Sequence, residues 1–191
     1  MDRIVFATHN AHKLDEVRAI LADAGLPLCS LADLGFADDP PETTDTFLGN
    51  ALQKATFVHE RTGLVCVADD SGLEVDALGG APGVHSKRFS AEQTGEANNR
   101  LLLEQLGDRA DRRARFRCVI AVVGLGAPRS AEGVCEGAIA GAPRGAGGFG
   151  YDPLFLPDER PGRTLAELPL DDKNAISHRG RAFRQLPALL R

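Results

Sequence analysis

The chain has 191 residues, of which 43% are hydrophobic and 26% charged, and its formal net charge at pH 7 is -5. This composition is typical of a globular protein and excludes a mainly disordered chain, and the length fits a single domain over residues 1–191. The acidic balance argues against a surface that coats nucleic acid, so an anionic ligand should be small and bound at a local basic site.

The cysteines and the N-terminus indicate a cytoplasmic protein. The cysteines stand far apart, without a C-x-x-C pair, and each lies in or beside an apolar stretch, which favours reduced core residues over a zinc site or a disulfide frame. Met1-Asp2-Arg3 is not followed by the long apolar region of a signal peptide, and no segment could span a bilayer. The four are Cys29, Cys66, Cys118 and Cys135.

The first predicted unit is a strand over residues 4–7, a polar loop and a helix that Gly25 ends. The loop and first turn are Thr8-His9-Asn10-Ala11-His12-Lys13, where backbone N–H groups and the helix dipole can attract an anion. Plain N-capping explains Thr8 and Asn10 equally well. Lys13 favours the anion site, because a cation opposes the dipole unless an anion lies beside it.

A second strand is predicted over residues 26–31, followed by an acidic, proline-broken loop over 38–45. The next helix shows Phe47, Ala51, Lys54, Ala55 and Val58 at helical spacing, with Asp45 as its expected cap and Gly63 as its end. In the loop, Glu42 is either a metal ligand or a solvated acid in an acidic run.

A buried strand over residues 64–67 then leads into Asp69-Asp70-Ser71-Gly72, where we expect the strand to end. Aspartate, serine and glycine favour turns, but carboxylates beyond the end of a strand also suit a metal or substrate site. Adjacent residues on extended chain point to opposite faces, so only one of the two aspartates should face such a site.

A helix over residues 96–106 and strands over 115–123 and 132–140 follow, the strands as an antiparallel pair. The arginines between 109 and 117 indicate a solvated, charged face rather than a nucleic-acid patch, because acids flank them. A glycine-rich stretch over residues 141–153 surrounds Phe149, whose ring could stack on a ligand. Near the C-terminus Ser177 can cap a final helix, with His178 and Arg179 at its positive end.

Four segments together resemble the inosine triphosphate pyrophosphatase family, over nearly the whole chain: ATHNAHKLDEV, ADDSGLEVDALGGAPGVHSKRFS, GGFGYDPLF and SHRGRAF. The resemblance implies an α/β fold, with a long twisted mixed β-sheet flanked by helices and two lobes around a central cleft. It implies a homodimer that hydrolyses dITP, ITP and XTP to the monophosphate and pyrophosphate with Mg²⁺, without nucleic-acid or membrane partners.

Carried over residue by residue, the resemblance makes Asp70 the general base and a Mg²⁺ ligand, with Glu42 as a second metal ligand. Asp69 is a supporting acid. The implied substrate-binding residues are Thr8, His9, Asn10, Ala11, His12, Lys13, Ser71, Phe149, Gly150, Tyr151, Asp152, Lys173, His178 and Arg179.

The chain departs from the family pattern in three places. The usual T-F-x-E-N-A reads TFLGNA, so Gly49 replaces an acid and the metal shell is less complete. His85 and Phe89 stand where tyrosine is common, and Lys87 replaces a small residue. Pro187 should end or kink the last helix.

Two other functions are compatible with parts of the pattern. An aspartyl-phosphate phosphatase would use the two aspartates as its nucleophile pair, but such enzymes space their acids D-x-D at the end of the first strand. A nucleotide- or RNA-binding module would use Phe149 and the arginines without turnover.

Overall fold

The structure is a computed structural model that describes residues 3–191. Met1 and Asp2, which belong to the predicted domain and to the predicted N-terminal segment, lie outside the described residues. Helices flank one six-stranded sheet, ordered β2-β1-β3-β4-β5-β6. The strands are β1 (Ile4–Phe6), β2 (Leu28–Ser30), β3 (Val65–Val75), β4 (Arg113–Val123), β5 (Arg129–Ile139) and β6 (Phe155–Pro157). The helices are α1 (Ala11–Ile20), α2 (Phe47–Thr62), α3 (Gly95–Leu106), α4 (Leu170–Ile176), α5 (His178–Phe183) and α6 (Leu186–Leu189).

The sheet is mixed. β1 pairs in parallel with both β2 and β3, so that Val5 lies opposite Cys29 on one side and Cys66 on the other. At the other edge β5 and β6 are antiparallel, with Ile139 opposite Phe155. The expectation of an α/β fold with a mixed sheet is confirmed.

The expectation that a strand ends at Asp69 is wrong, and so is the interpretation of residues 69–72 as a turn. β3 continues for eleven residues to Val75. The reason is that Leu73 and Val75 are fully buried and continue the alternation of the strand beyond the polar residues. The two aspartates therefore lie within a central strand, held by its backbone pairing.

The chain divides into two compact units. The first comprises Met1–Asp70, Cys118–Gly133 and Arg179–Arg191, and the second Ser71–Arg117 and Val134–His178. Phe6 and Phe183 meet edge-on in the core of the first unit, with ring centroids 5.2 Å apart. Phe116 and Phe155 pack at 4.7 Å in the core of the second. Each unit thus has an apolar core of its own.

The helix ends follow local capping rules, but not all of them lie where predicted. α1 ends at Ile20, and Gly25 ends the short 3-10 helix Ala22–Ala24 that follows it rather than α1. Thr46, not Asp45, caps α2, because its side chain accepts the N–H of Gly49 at 3.0 Å. Gly63 ends α2 in the left-handed conformation, as expected. The C-terminal segment is broken after Phe183, and Pro187 lies in the first turn of α6, where it needs no hydrogen-bond partner.

All four cysteines are free thiols, and three are buried while Cys29 is partly exposed. The arginines of β4 are paired with acids: Arg115 lies 3.0 Å from Asp76, and Arg117 lies 3.5 Å from Glu74. Among residues 3–191, no helix combines the length and the apolar character needed to cross a membrane.

Candidate active site

The loop after β1 is organised by its own side chains. Thr8 Oγ1 accepts the N–H of Asn10 at 3.1 Å, and Asn10 caps α1 by accepting the N–H of Lys13 at 3.2 Å. His9 is exposed and its Nε2 lies 3.0 Å from the carbonyl oxygen of Asp38. Ala11 and His12 are exposed residues of the first turn of α1. The loop therefore presents polar groups to solvent at the N-terminus of this helix, which Asn10 caps.

Lys13 has an anionic partner within the chain. Its Nζ lies 2.9 Å from Oδ2 of Asp69, whose side chain is 1% exposed. The same carboxylate oxygen lies 3.5 Å from Nη2 of Arg179, and Nη1 of Arg179 donates to Glu16 at 2.7 Å. Two buried acids are thus matched by two cations in what we call the Asp69 network.

The charges of this network shift pKa values strongly. Burial alone would raise the pKa of Asp69, but the charges of Lys13, Arg179 and Lys54 outweigh it and hold the pKa well below its usual range. The Sγ of Cys118 lies 3.9 Å from the same carboxylate, and burial, followed by this negative charge, raises the pKa of the thiol to about 12. Asp69 is therefore a fixed anion and Cys118 an unreactive thiol.

Asp70 belongs to a second group of charges. Its Oδ2 accepts a hydrogen bond from Nδ2 of Asn50 at 2.9 Å, and both side chains are buried. Lys54, 6% exposed, pairs with Glu42 across a short contact. Ser71, next in β3, is partly exposed. We call Glu42, Asn50, Lys54 and Asp70 the Asp70 group.

Within the Asp70 group the carboxylates differ. Burial raises the pKa of Asp70, and the charge of Lys54 and the hydrogen bond from Asn50 offset this only in part. Burial would also raise the pKa of Glu42, but its pairing with Lys54 lowers it below the usual value. The pKa of Lys54 is raised, since Asp69, Glu42 and Asp70 outweigh the effect of its burial. One buried lysine thus interacts electrostatically with three carboxylates.

Sequence reasoning missed Glu16 and Lys54 as site residues, although each carried a signal. Lys54 falls at an apolar position in the helical spacing of α2, and Glu16 is next to the fully buried Val17. A charged residue at a core position of a helix is almost never fully buried without a partner. Such positions therefore predict buried ion pairs even when the partner is distant in sequence.

In the second unit, the glycine-rich stretch closes around Asp152. Asp152 Oδ2 accepts the N–H of Phe149 at 2.8 Å and contacts Nζ of Lys173 at 2.5 Å, and both charged side chains are almost fully buried. Gly148 has φ +67°, and a Cβ there would overlap the Asp152 carboxylate. Nζ of Lys173 lies 5.1 Å from the centre of the partly exposed Phe149 ring. The charge pair therefore anchors the backbone of Phe149.

Three other predicted site residues of this unit are held by contacts within it, and two of them, Tyr151 and His178, are buried. Tyr151 is 4% exposed and its hydroxyl donates to the carbonyl of Ser86 at 2.9 Å, while the carbonyl of Gly150 accepts from Asn99 at 3.0 Å. His178, 4% exposed, stacks on Phe116 with ring centroids 4.6 Å apart and planes 12° apart. Packing fixes the orientation of these groups.

No group of three or more histidine, cysteine, aspartate or glutamate side chains suited to a metal ion occurs among residues 3–191. The two predicted metal ligands, Asp70 and Glu42, are linked through Lys54, which interacts with both. Mg²⁺ is commonly bound by one or two carboxylates plus substrate phosphates, so a pair of acids is the donor set that such an ion needs.

Comparison with known proteins gives the family. Residues 4–189 match the model of the Ham1 family. The "dITP/XTP pyrophosphatase" of Porphyromonas gingivalis is 50% identical over 190 residues, covering 97% of this chain and 96% of the relative. The "dITP/XTP pyrophosphatase" of Shigella flexneri is 46% identical and covers 100% of this chain and 99% of the relative.

Solved structures of Ham1 proteins have the same fold as this chain. A HAM1 protein from Coxiella burnetii superposes with a TM-score of 0.89 at 43% identity, covering 100% of this chain and 98% of that one. The Ham1 protein of Staphylococcus aureus gives 0.87 at 37% identity, covering 98% of this chain and 97% of that one. The chain belongs to the Ham1 family, which confirms the resemblance stated from its sequence.

Proposed function

We propose that this protein hydrolyses non-standard purine nucleoside triphosphates, namely dITP, ITP and XTP, to the monophosphate and pyrophosphate, and so cleanses the nucleotide pool. The names of relatives that match nearly its full length support the activity on dITP and XTP, and ITP rests on the resemblance. The observation that carries the proposal is that the neighbours Asp69 and Asp70 have different direct partners: Asp69 pairs with Lys13 and Arg179, whereas Asp70 accepts a hydrogen bond from Asn50.

Asp70 is the general base of this proposal. The proton of the attacking water moves to its carboxylate while the water oxygen bonds to the α-phosphorus. The bond from the α-phosphorus to the α–β bridging oxygen breaks, and pyrophosphate leaves with that oxygen. The hydrogen bond from Asn50 fixes the carboxylate, so the base is oriented before substrate binds.

Mg²⁺ fits the Asp70 group, because Asp70 and Glu42 provide hard oxygen donors and the pairing with Lys54 keeps Glu42 ionised. These two carboxylates would hold the ion, with phosphate oxygens of the substrate completing its coordination. When bound, Mg²⁺ would neutralise phosphate charge. Lys13 supplies a cation of the chain itself for the same purpose, and Asp69 fixes its position.

The other substrate-binding roles rest on the resemblance and on local geometry. The loop from Thr8 to Lys13 and Ser71 would contact phosphates and sugar, and Phe149 would stack on the base. The resemblance assigns Lys173, His178 and Arg179 to nucleotide binding, and selectivity would come from buried donors that pair with a 6-oxo group. A site built this way can reject a 6-amino analogue by roughly 10⁴-fold, because its buried polar groups are then left unpaired.

Assembly and location are also proposals. A homodimer is implied by the resemblance, with His85, Lys87 and Phe89 as differences at the edge of the site or at the dimer surface. Free thiols at Cys29, Cys66, Cys118 and Cys135 favour a reducing compartment, in keeping with the cytoplasm.

The test is product analysis with ITP, dITP, XTP, ATP and GTP, in Mg²⁺ or in EDTA, for the wild type and Asp70→Asn. We expect pyrophosphate from the first three, little from ATP, and loss of turnover in EDTA or in the variant. Inorganic phosphate as first product, equal rates on ITP and ATP, or ligand binding without turnover would contradict the proposal.

A further inference from the structure

Asn50 connects Asp70 to a threonine outside the helix. Its Oδ1 accepts two hydrogen bonds from Thr44, one from the backbone N–H and one from the hydroxyl, each at 2.9 Å. Its Nδ2 donates to Oδ2 of Asp70 at 2.9 Å. Asn50 is fully buried, and Thr44 is partly buried in the irregular segment before α2.

The direction of these bonds is set by Thr44. A backbone N–H can only donate, so the atom of Asn50 that faces it must be the oxygen. The NH₂ group then faces Asp70. If the amide were flipped, its NH₂ group would face the N–H of Thr44 and its oxygen would face the carboxylate of Asp70, so neither contact could be a hydrogen bond. The Thr44 hydroxyl has one proton and two acceptors within reach, the carbonyl of Thr46 at 3.1 Å and Oδ1 of Asn50 at 2.9 Å, and we assign the proton to the shorter contact.

Gly49 makes room for this threonine. A Cβ at position 49 would overlap the hydroxyl oxygen of Thr44 and lie 2.9 Å from both Thr44 Cβ and Thr46 Oγ1. The backbone of Gly49 is helical, where alanine is much preferred to glycine, so conformation does not explain the residue. The available space explains it. The family pattern has an acid at this position, whereas here glycine has no side chain and the hydroxyl of Thr44 occupies the space.

We propose that Thr44 is a positioning residue that acts on Asp70 through Asn50, and that Gly49 leaves the space that the Thr44 side chain occupies. The inference rests on the proposed role of Asp70 as the base. Threonine and glycine therefore form a coupled pair: a side chain at position 49 is less unfavourable once the side chain of Thr44 has been removed.

The first test compares Thr44→Val, which keeps the shape but loses the hydroxyl, with Thr44→Ser, which keeps the hydroxyl. We expect kcat on ITP to fall about fivefold in Thr44→Val, or about 1 kcal/mol, the usual net contribution of one hydrogen bond. The KM of Thr44→Val for ITP should stay within about twofold of the wild-type value, and Thr44→Ser should keep the wild-type kcat. Thr43→Val is the matched control, since the Thr43 hydroxyl accepts from Gln53 and is exposed.

The second test measures stability and does not depend on catalytic activity. Thermal unfolding of Gly49→Ala, Thr44→Gly and the double variant gives a mutant cycle. Gly49→Ala should lower the Tm of the wild type by more than it lowers that of Thr44→Gly, where the overlap with Thr44 is gone and only the 2.9 Å contact to Thr46 Oγ1 remains.

Equal effects of Gly49→Ala in both backgrounds, or an unchanged kcat in Thr44→Val, would overturn the inference while leaving the proposed function intact. If the wild type releases no pyrophosphate, the proposed function itself fails, whatever the cycle shows.

Discussion

Asp69 and Asp70 are adjacent in β3, yet their carboxylates bind different partners. Asp69 lies 2.9 Å from Lys13 and is flanked by Arg179, while Asp70 accepts from Asn50 at 2.9 Å. The alternation of side chains along a strand produces this separation. Burial by itself raises the pKa of both, and only Asp69 has enough nearby positive charge to reverse the effect. One peptide bond thus joins a fixed structural anion to the proposed base.

Asp69→Asn should be strongly destabilising. The change removes a buried negative charge and leaves Lys13 and Arg179 facing a neutral amide, and breaking a buried ion pair costs about 3–5 kcal/mol. Urea unfolding monitored by circular dichroism measures this loss. Glu92→Gln, which removes an exposed ion pair to Arg100, is the control and should cost at most about 1 kcal/mol. Similar losses in the two variants would show that the Asp69 network does not stabilise the fold.

Glu42→Gln tests the metal ligands. The variant removes one of two proposed carboxylate donors, so the Mg²⁺ concentration at half-maximal rate should rise at least about tenfold, since even outer-shell partners of a metal contribute 10–100-fold. Titration of ITP hydrolysis with Mg²⁺ measures it. Asp39→Asn, in the same acidic loop and highly exposed, is the control. An unchanged Mg²⁺ requirement in Glu42→Gln would remove this residue from the metal site.

Phe149→Ala should weaken substrate binding. Stacking of a base on an aromatic ring is worth about 1–3 kcal/mol, so KM for ITP should rise by roughly 5- to 150-fold. Phe149→Tyr keeps the ring and should bind normally. Steady-state kinetics on ITP separate the two variants, and an equal KM in alanine and wild type would argue against stacking.

Gly148→Ala should disturb the Phe149 loop without touching its ring. The added Cβ would overlap the Asp152 carboxylate that holds the Phe149 N–H and Lys173. We expect a raised KM and a lower Tm. Gly162→Ala is the matched control, because Gly162 also has positive φ but no atom within 4 Å of the added Cβ. It carries only the backbone strain of about 1–2 kcal/mol. Equal effects on KM would mean that strain, not Asp152, is responsible.

The sequence predicted most elements because their signals are local. The helix cap at Asn10, the stop at Gly63 and the alternation in β4 each depend on residues within a few positions of one another. The end of β3 was mispredicted for the same reason: Asp, Ser and Gly favour turns locally, and only pairing within a central strand keeps them extended.

The site was harder to predict, since its partners are far apart in the chain. Arg179 contacts Glu16 across 163 positions, and Lys13 was expected to bind an external anion because nothing in the sequence places Asp69 beside it. Motifs can name residues such as Asp70 and Phe149. The contacts that orient these side chains depend on tertiary packing, and the periodicity of hydrophobic residues in the sequence does not predict them.

The central claim, attack of water at the α-phosphorus, can be measured directly by hydrolysing ITP in water enriched in ¹⁸O and analysing the products by mass spectrometry. Our account predicts one ¹⁸O atom in the nucleoside monophosphate and none in the pyrophosphate at first release. Label in pyrophosphate, or in free inorganic phosphate beside a nucleoside diphosphate, would contradict it.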